Sequence, residues 1–361
     1  MNYQKFQNLI KEQIKNYLPE EYQEARIDIT TVTKNNNQKL DGLNIRFPDE
    51  NICPTIYLNS LYEEYQNGRD IEEIMEHIAK LREEHGVKRN LSVEKFLDFE
   101  NIRDKIIFQV VGSASNQEQL SNMPHHIEND MAFVYRVLIQ KSEEGMASTQ
   151  ISNAMMKQMG VNEDMLYRAA MENTPREFPV TFCSMNEVML NMMRRDFGEL
   201  FPDDMPDNEV KDFLEEMFGD PTGQGMDLPM YVLSNDRTLN GAAALFYPGV
   251  QEMVAEEMKG DYFVLPSSIH EVLIVPDGGE MKFEELRAMV NQVNDTEVEP
   301  GDVLTGEVYS YDRENKKLMI AEERFSERDK RESIMDKLKT KGDEVKNTGS
   351  NRKPAIPEPA L

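Results

Sequence analysis

The chain has 361 residues, of which 39% are hydrophobic and 30% are charged, and its formal net charge at pH 7 is -27. The apolar residues recur in periodic runs, so a core can form, which excludes disorder throughout the chain, and the length is ordinary for two domains. Because a negative field repels DNA phosphates and anionic lipid, the charge argues against direct nucleic-acid binding and against binding to an anionic membrane surface.

The composition also predicts where the protein works. No apolar run approaches the length of a membrane span, and the first residues, MNYQKFQNLIKEQIKNYL, lack the apolar centre of a secretion signal. Cys53 and Cys183 lie far apart and form no CxxC pair, which is typical of reduced thiols. We therefore expect a soluble cytoplasmic protein.

The first part of the chain predicts a helix, a small sheet and further helices. Apolar spacing predicts a helix over residues 3–18, and three alternating stretches, ARIDITTVTK, LDGLNIRF and PTIYLN, predict an antiparallel meander with a turn at Asn35-Asn36-Asn37. Helices are predicted for SLYEEYQNG, IEEIMEHIAKLREEHG and SVEKFLDFENIRD. The runs KIIFQVVG and DMAFVYRVLIQ predict strands.

The middle of the chain predicts two helices, Gly145 to Val161 and Asn162 to Asn173, joined at Gly160. FPVTFCS follows as a strand and MNEVMLNMMRRD as a helix rich in Met, which is more typical of core than of a partner-binding surface. Residues 202–228 are rich in Pro and Gly around one acidic helix, Asn208 to Phe218. This segment predicts an inserted loop or a boundary.

The last third alternates short strands with helices. Strands are predicted for PMYVLSN, GAAALFY, YFVLPSS and HEVLIVP, and helices for PGVQEMVAEEMKG and FEELRAMVNQVN. VLTGEVYSYDRENKKLMIAEE predicts a hairpin that turns at Glu314-Asn315, followed by a charged helix over residues 325–340.

Taken in chain order, these elements predict an α+β fold of two lobes, with mainly antiparallel sheets flanked by helices. We expect an N-terminal lobe over residues 1–175 and a C-terminal lobe over residues 176–340. Residues 341–361 lack apolar periodicity and predict a disordered tail.

One polar segment raises the possibility of catalysis. In DYFVLPSSIHEVLIVPD, residues 261–277, the candidate catalytic residues Ser267, Ser268, His270 and Glu271 lie within five positions. A hydrolase would use one of the serines as nucleophile and His270 as base, but no GxSxG pattern is present. Pro266 cannot donate a hydrogen bond to a strand ladder, so we favour a structural joint between two strands.

Three further residues are candidates for binding, His125, His126 and Asn235. Glu128 and Asp130 follow the histidine pair, which raises the possibility of a metal site, but neither HExxH nor HxH accompanies the pair. We therefore expect a polar loop leading into the strand at Met131, and no metal. No Walker, Rossmann or kinase pattern is present, so we expect no cofactor.

The segments MYVLSN, NGAAALFYPGV and YFVLPSSIHEVLIVPD together resemble the bacterial family known as domain of unknown function 5688. IKNYLPEEYQEARIDITTVTKNNNQKLDGLNI and MPHHIENDMAFVYRVLI are similar to the same family, so the resemblance covers nearly all of the chain except the tail. It implies a common fold and a bacterial cytoplasmic setting. It implies no activity, substrate or cofactor.

Three functions are compatible with these patterns. We favour a non-enzymatic protein-binding or regulatory module with a protein partner, without nucleic-acid or membrane binding. The first alternative is a hydrolase that uses Ser267 or Ser268 with His270. The second alternative is a DNA mimic that inhibits a nucleic-acid-binding protein, which requires the carboxylates of residues 196–227 and 252–261 to line one face.

Overall fold

The computed structural model describes residues 1–48, 50, 53–84, 96–142, 145–196, 205–206, 209, 229–266, 268–279 and 281–326. The predicted helix from Asn208 to Phe218 lies almost wholly outside these residues, and the predicted tail lies wholly outside them. The described fold is α+β, with antiparallel sheets flanked by helices, which confirms the predicted fold class. Within this part of the chain, no helix combines the length and the apolar character that a membrane crossing requires.

The N-terminal part is a three-stranded antiparallel sheet, ordered β1-β2-β3, with helices packed against it. Its elements are α1 (Tyr3–Gln13), β1 (Arg26–Thr33), β2 (Lys39–Arg46), β3 (Thr55–Tyr57), α2 (Leu58–Gln66) and α3 (Ile71–Glu84). The helices and strands share a core cluster that includes Phe6, Ile10, Leu43, Ile74 and Ile78. Since strand side chains alternate between two faces, Leu43 and Ile45 of β2 both reach this core.

A buried ion pair crosses the N-terminal core. Arg82 in α3 is 2% exposed, and its Nη2 donates to both carboxylate oxygens of Glu50, at 2.8 and 2.7 Å. Its Nε donates to the carbonyl of Ile45 at the end of β2, 2.8 Å away, and its guanidinium lies over the rings of Tyr22 and Phe47. Because the charge is paired and hydrogen-bonded, it can stay buried and fasten α3 to the sheet.

The middle part is a four-stranded antiparallel sheet built around the long strand β6. Its elements are α4 (Phe99–Ile102), β4 (Ile106–Gly112), α5 (Gln117–Leu120), β5 (His125–Glu128), β6 (Met131–Ser142), β7 (Gly145–Gln150), α6 (Asn153–Met159) and α7 (Glu163–Glu177). Helix α7 meets the edge of β4, where Phe108 N donates to Thr174 Oγ1 at 3.0 Å and Asn173 Nδ2 donates to the Ile106 carbonyl at 3.0 Å. These bonds pair backbone groups at the edge of β4 that would otherwise be free to hydrogen-bond with another strand.

The C-terminal part is a six-stranded antiparallel sheet in the order β13-β12-β10-β11-β9-β8. Its elements are β8 (Val180–Ser184), α8 (Met185–Asp196), β9 (Tyr231–Asn235), a 3-10 helix (Gly241–Phe246), α9 (Val250–Glu257), β10 (Tyr262–Leu265), β11 (Val272–Pro276), α10 (Phe283–Thr296), β12 (Tyr309–Asp312) and β13 (Lys317–Ile320). The predicted hairpin near Glu314-Asn315 is confirmed as β12 and β13.

Three local predictions are wrong. Residues 145–150 form β7 instead of starting a helix, because β6 offers them a pairing edge with a bulge between Leu138 and Gln140. GAAALF forms a 3-10 helix instead of a strand, since Ala and Gly pack closely there and Ala is a poor strand former. His125 and His126 belong to β5, which pairs with β6, and are not in a loop.

The middle and C-terminal sheets share one hydrophobic core cluster, to which both sides of residue 175 contribute. The 3-10 helix is central to this core, because Phe246 lies 4.7 Å from Phe133 between ring centroids and Tyr247 meets Phe108 edge-on at 6.0 Å. The N-terminal core is a separate cluster drawn from residues 6–79. The division of the chain at residue 175 stays a prediction.

Asn36, at the tip of the β1–β2 hairpin, joins the N-terminal sheet to the other two parts. Its backbone is left-handed, with φ 58° and ψ 35°. Its Oδ1 accepts from Ser115 Oγ at 2.7 Å and Asn116 Nδ2 at 3.1 Å, and its Nδ2 donates to the carbonyls of Pro300 at 3.0 Å and Val303 at 2.7 Å. One side chain therefore bonds two segments that are distant in sequence.

We expect Asn36→Ala to lower the free energy of unfolding by about 2–4 kcal/mol, because several hydrogen bonds are lost and Ala is strained in a left-handed conformation. Urea unfolding gives this value. Asn37→Ala is the matched control, since Asn37 also has a positive φ, 56°, and the described residues give its side chain no hydrogen bond. Equal losses in the two variants would show that the bonds of Asn36 contribute nothing.

Candidate functional site

A cleft of about 930 Å³ opens where the three parts of the chain meet. Four stretches of the chain line it: the hairpin tip at Asn36, the end of β4 with the turn that follows, the turn before β6, and a continuous stretch from the end of α10 through residues 298–307. We call residues 298–307 the cleft loop. Since Asn36 bonds the carbonyls of Pro300 and Val303, the hairpin tip holds the cleft loop in place.

The walls of this cleft are acidic. Five carboxylates line it, and no Lys, Arg or His is among its lining residues: Asp130, Asp295, Glu297, Glu299 and Glu307. Helix α10 ends here, and its last turn carries no basic residue, so the negative end of the helix dipole adds to the potential. Arg287 approaches Glu307 from outside the lining, at 3.8 Å.

The floor of the cleft is a hydrogen-bonded group of three side chains. Thr305 Oγ1 donates to Asp130 Oδ2 at 2.5 Å, and Asn294 Nδ2 donates to the Thr305 carbonyl at 3.1 Å. The other carboxylate oxygen of Asp130, Oδ1, and the amide oxygen of Asn294, Oδ1, are buried and have no hydrogen-bond partner among the described residues.

The predicted catalytic segment lies behind the cleft loop. Ser268 forms a β-bridge with Val303, and Ile269 N donates to the Asp302 carbonyl at 2.8 Å. His270 Nε2 lies 3.4 Å from Asp302 Oδ2. Ser267 lies outside the described residues. The segment therefore supports the wall of the cleft from the side opposite Asn36.

The described partners of Ser268 and His270 do not form a nucleophile and base. Ser268 Oγ accepts from the backbone N–H of His270 at 3.0 Å. His270 Nδ1 accepts from the backbone N–H of Asn240 at 3.2 Å, so the ring proton belongs on Nε2, which faces Asp302. A hydrolase needs a ring nitrogen at the serine hydroxyl, and both ring nitrogens have other partners here.

The candidate Asn235 shapes the turn that faces His270. Its Oδ1 accepts from the backbone N–H of Arg237 at 3.0 Å and its Nδ2 donates to the Leu239 carbonyl at 3.0 Å, so the side chain fills the turn. Gly241 follows the turn, and a Cβ at this position would lie 2.4 Å from the carbonyl oxygen of His270. The backbones at Gly241 and His270 therefore approach too closely for any larger residue at position 241.

The histidine pair has partners of a different kind. His125 Nδ1 lies 3.0 Å from the Met123 carbonyl, and the His126 ring packs between Phe133 at 5.5 Å and Tyr167 at 4.9 Å. In the described ranges, no group of three or more His, Cys, Asp or Glu side chains could hold a metal ion. Of the acidic residues near the pair, Asp130 is the one that lines the cleft.

Sequence reasoning missed the cleft, although it noted several residues nearby. The signal that was present is DTEVEPGD, residues 295–302, where carboxylates alternate with other residues across the end of a helix and up to Pro-Gly. The carboxylates required for a DNA mimic include those of residues 196–227, which lie mostly outside the described residues, so that alternative stays a prediction.

We expect Ser268→Ala to cost roughly 1 kcal/mol of unfolding free energy, because the local hydrogen bonds of its hydroxyl, to the His270 backbone and to the Glu271 carboxyl, are removed. Urea unfolding measures this loss. We also expect an active-site-directed fluorophosphonate to label neither Ser267 nor Ser268. Covalent labelling of either serine that disappears in His270→Ala would contradict the structural role.

Glu271 gives the second prediction in this segment. Burial raises the pKa of its carboxyl above the ordinary 4.5, and His270 and a hydrogen bond from Ser268 lower it only in part. The folded chain therefore binds this proton more tightly than the unfolded chain does. The resulting stabilisation is present below the unfolded pKa and is lost as the pH rises through the folded pKa.

We expect Glu271→Gln to be more stable than the wild type at neutral pH, with the difference shrinking as the pH falls towards 4.5. Urea unfolding over a pH series measures it. Glu257→Gln, on the exposed face of α9, is the control for removing one negative charge. A difference that is independent of pH would contradict the assignment to Glu271.

Comparison with known proteins gives one match. The model of a family described as "Family of unknown function (DUF5688)" matches residues 3–313. No curated protein and no solved structure matches the chain.

Proposed function

The chain belongs to the DUF5688 family, a family of unknown function, and we propose that it is a protein-binding module whose acidic cleft receives a lysine- and arginine-rich segment of a partner protein. The observation that carries this proposal is the cleft itself, which has five carboxylates and no basic residue among the residues that line it.

The chemistry of the lining favours a cationic ligand that donates hydrogen bonds. Carboxylates, amides, hydroxyls and backbone polar groups make up about half of the walls, and five of the lining side chains are carboxylates. An apolar ligand would remove these groups from water without pairing them, which is costly, and an anionic ligand would meet like charges. The net charge of -27 also attracts a basic partner from a distance and speeds its association.

The spacing of the charges favours an extended partner over a single ion. Asp295, Glu297 and Glu299 are exposed on the rim, whereas Asp130 is on the floor. A bound metal requires ligands that converge on one point, and the described part of the chain has no such group of three. Dispersed carboxylates match a chain that carries several cationic side chains.

Both cysteines support the expected cytoplasmic setting of this function. Cys53 and Cys183 are free thiols, and burial raises the pKa of each, which keeps the reactive thiolate scarce. A protein with two free thiols fits a reducing compartment.

The test is the binding of a fluorescently labelled peptide of lysine, arginine and serine, followed by fluorescence anisotropy. We expect the triple variant Asp295→Asn, Glu297→Gln, Glu299→Gln to weaken binding about tenfold, because three partly screened charge pairs are lost. Added salt should weaken binding to the wild type for the same reason.

The matched control is the triple variant Glu20→Gln, Glu21→Gln, Glu24→Gln, which removes the same charge from exposed positions in the N-terminal part. We expect it to bind nearly as well as the wild type. Equal weakening in both variants would assign the binding to net charge, and no binding by the wild type would reject the proposed function. Spermine is then added as a competitor. Displacement of the labelled peptide by spermine would show that the cleft also accepts a small polyamine.

A further inference from the structure

The N-terminal part of the chain has a core of its own. In the described chain, the members of this core cluster all lie within residues 3–81, and the buried ion pair between Arg82 and Glu50 belongs to the same part. The cluster shared by the other two sheets takes no member from it. A segment of this length can bury enough apolar surface to fold by itself. The N-terminal part is therefore attached to the rest by other contacts than a shared core.

The attachment that the structure describes is polar and narrow. Every hydrogen bond between the described residues up to 84 and the rest of the described chain has one partner among Lys34, Asn35 and Asn36. Besides the bonds of the Asn36 side chain, Asn35 Nδ2 donates to the Gly301 carbonyl at 2.7 Å and Asn36 N donates to Asn116 Oδ1 at 2.8 Å. Contacts of this kind between separately cored units permit relative motion.

The hairpin tip keeps its shape without this contact. Lys34 N donates to the Gln38 carbonyl at 2.7 Å, and Gln38 N donates to the Asn35 carbonyl at 3.3 Å, so the turn is closed by its own backbone. Asn36 and Asn37 have positive φ values of 58° and 56°, a conformation that asparagine tolerates better than most residues. The tip is therefore a preformed element that can leave and return unchanged.

The bonds at the contact can be exchanged for bonds to water. Pro300 is exposed, and Gly301 and Val303 are half-buried, so water reaches their carbonyls once the tip has left. Because such an exchange is nearly balanced, each bond contributes little net free energy to docking. The docked state also has a cost, since Asn35 Oδ1 is buried and has no hydrogen-bond partner among the described residues. Undocking returns this oxygen to water.

We propose that residues 1–84 are a detachable clamp, which docks on the cleft loop through the tip at Lys34-Asn35-Asn36 and leaves it as one folded unit. Because Asn36 binds the carbonyls of Pro300 and Val303, undocking releases the cleft loop on this side and opens the cleft. The loop stays attached from behind through residues 268–269. The clamp does not depend on which ligand the cleft receives, so its test is independent of the proposed function.

The experiment measures the distance between two spin labels in the full chain by pulsed electron paramagnetic resonance. Cys53→Ser and Cys183→Ser remove the native thiols, and Lys11→Cys and Glu172→Cys place one label on an exposed position of α1 and one on an exposed position of α7. We expect a docked distance and a longer, undocked distance. Asn36→Gly should raise the ratio of undocked to docked molecules about tenfold, because side-chain bonds are lost while glycine adopts the left-handed backbone without strain.

Asn37→Gly is the matched control, because Asn37 also has a positive φ and the described residues give its side chain no hydrogen bond. It should leave the ratio unchanged. A second label pair, Lys11→Cys with Glu76→Cys, lies wholly within the clamp and should give one distance in every variant. The same single distance between α1 and α7 in the wild type and in Asn36→Gly would overturn the clamp.

Hydrogen exchange of the full chain separates undocking from unfolding. In Asn36→Gly, amides of the β1–β2 and β4–β6 ladders should exchange as slowly as in the wild type, because each part keeps its own core. Amides of the cleft loop should exchange faster. Faster exchange in the β1–β2 ladder would show that the N-terminal fold needs the contact, and unchanged exchange in the cleft loop would show that the tip does not hold it. Either result contradicts the proposal.

Discussion

The placement of Asn36 is the constraint on which the cleft depends. A left-handed backbone at the tip of the β1–β2 hairpin turns one amide side chain so that it bonds both Ser115 and the carbonyls of the cleft loop. The N-terminal core contributes none of the residues of the core shared by the other two sheets. Within each part, apolar packing holds the elements together. Between the N-terminal sheet and the rest, the hydrogen bonds of the hairpin tip hold the parts together and define the cleft.

The segment that suggested catalysis supports the same wall from behind. Ser268 pairs with Val303, Ile269 bonds Asp302, and the His270 ring lies between Asn240 and Asp302. Each polar group forms a hydrogen bond with a backbone group or a neighbouring side chain at the point where the strand is broken. Serines are common in such turns because their hydroxyls can form these local bonds. The contacts of Ser268 and His270 favour a structural joint, and the roles of the candidate catalytic residues stay predictions.

Sequence patterns predicted the elements that local periodicity determines. The β1–β2 hairpin, helix α7 and the hairpin of β12 and β13 carry their own turn and cap signals. Strand β7 and the 3-10 helix at Gly241–Phe246 could not be predicted this way, because a long partner strand and burial between sheets decide them. The cleft could not be predicted from local patterns for a similar reason, since its walls come from four stretches that meet only in the folded chain.

The acidity of the cleft is the property that the proposed basic partner would offset. Five carboxylates line the opening, and α10 ends there without a basic residue, so the carboxylates and the negative end of the helix dipole contribute potential of the same sign. Under the proposed function, a cationic segment bound there would lower this potential and would stabilise the folded chain through linkage. Affinity for the segment and stabilisation by it would then have the same electrostatic origin.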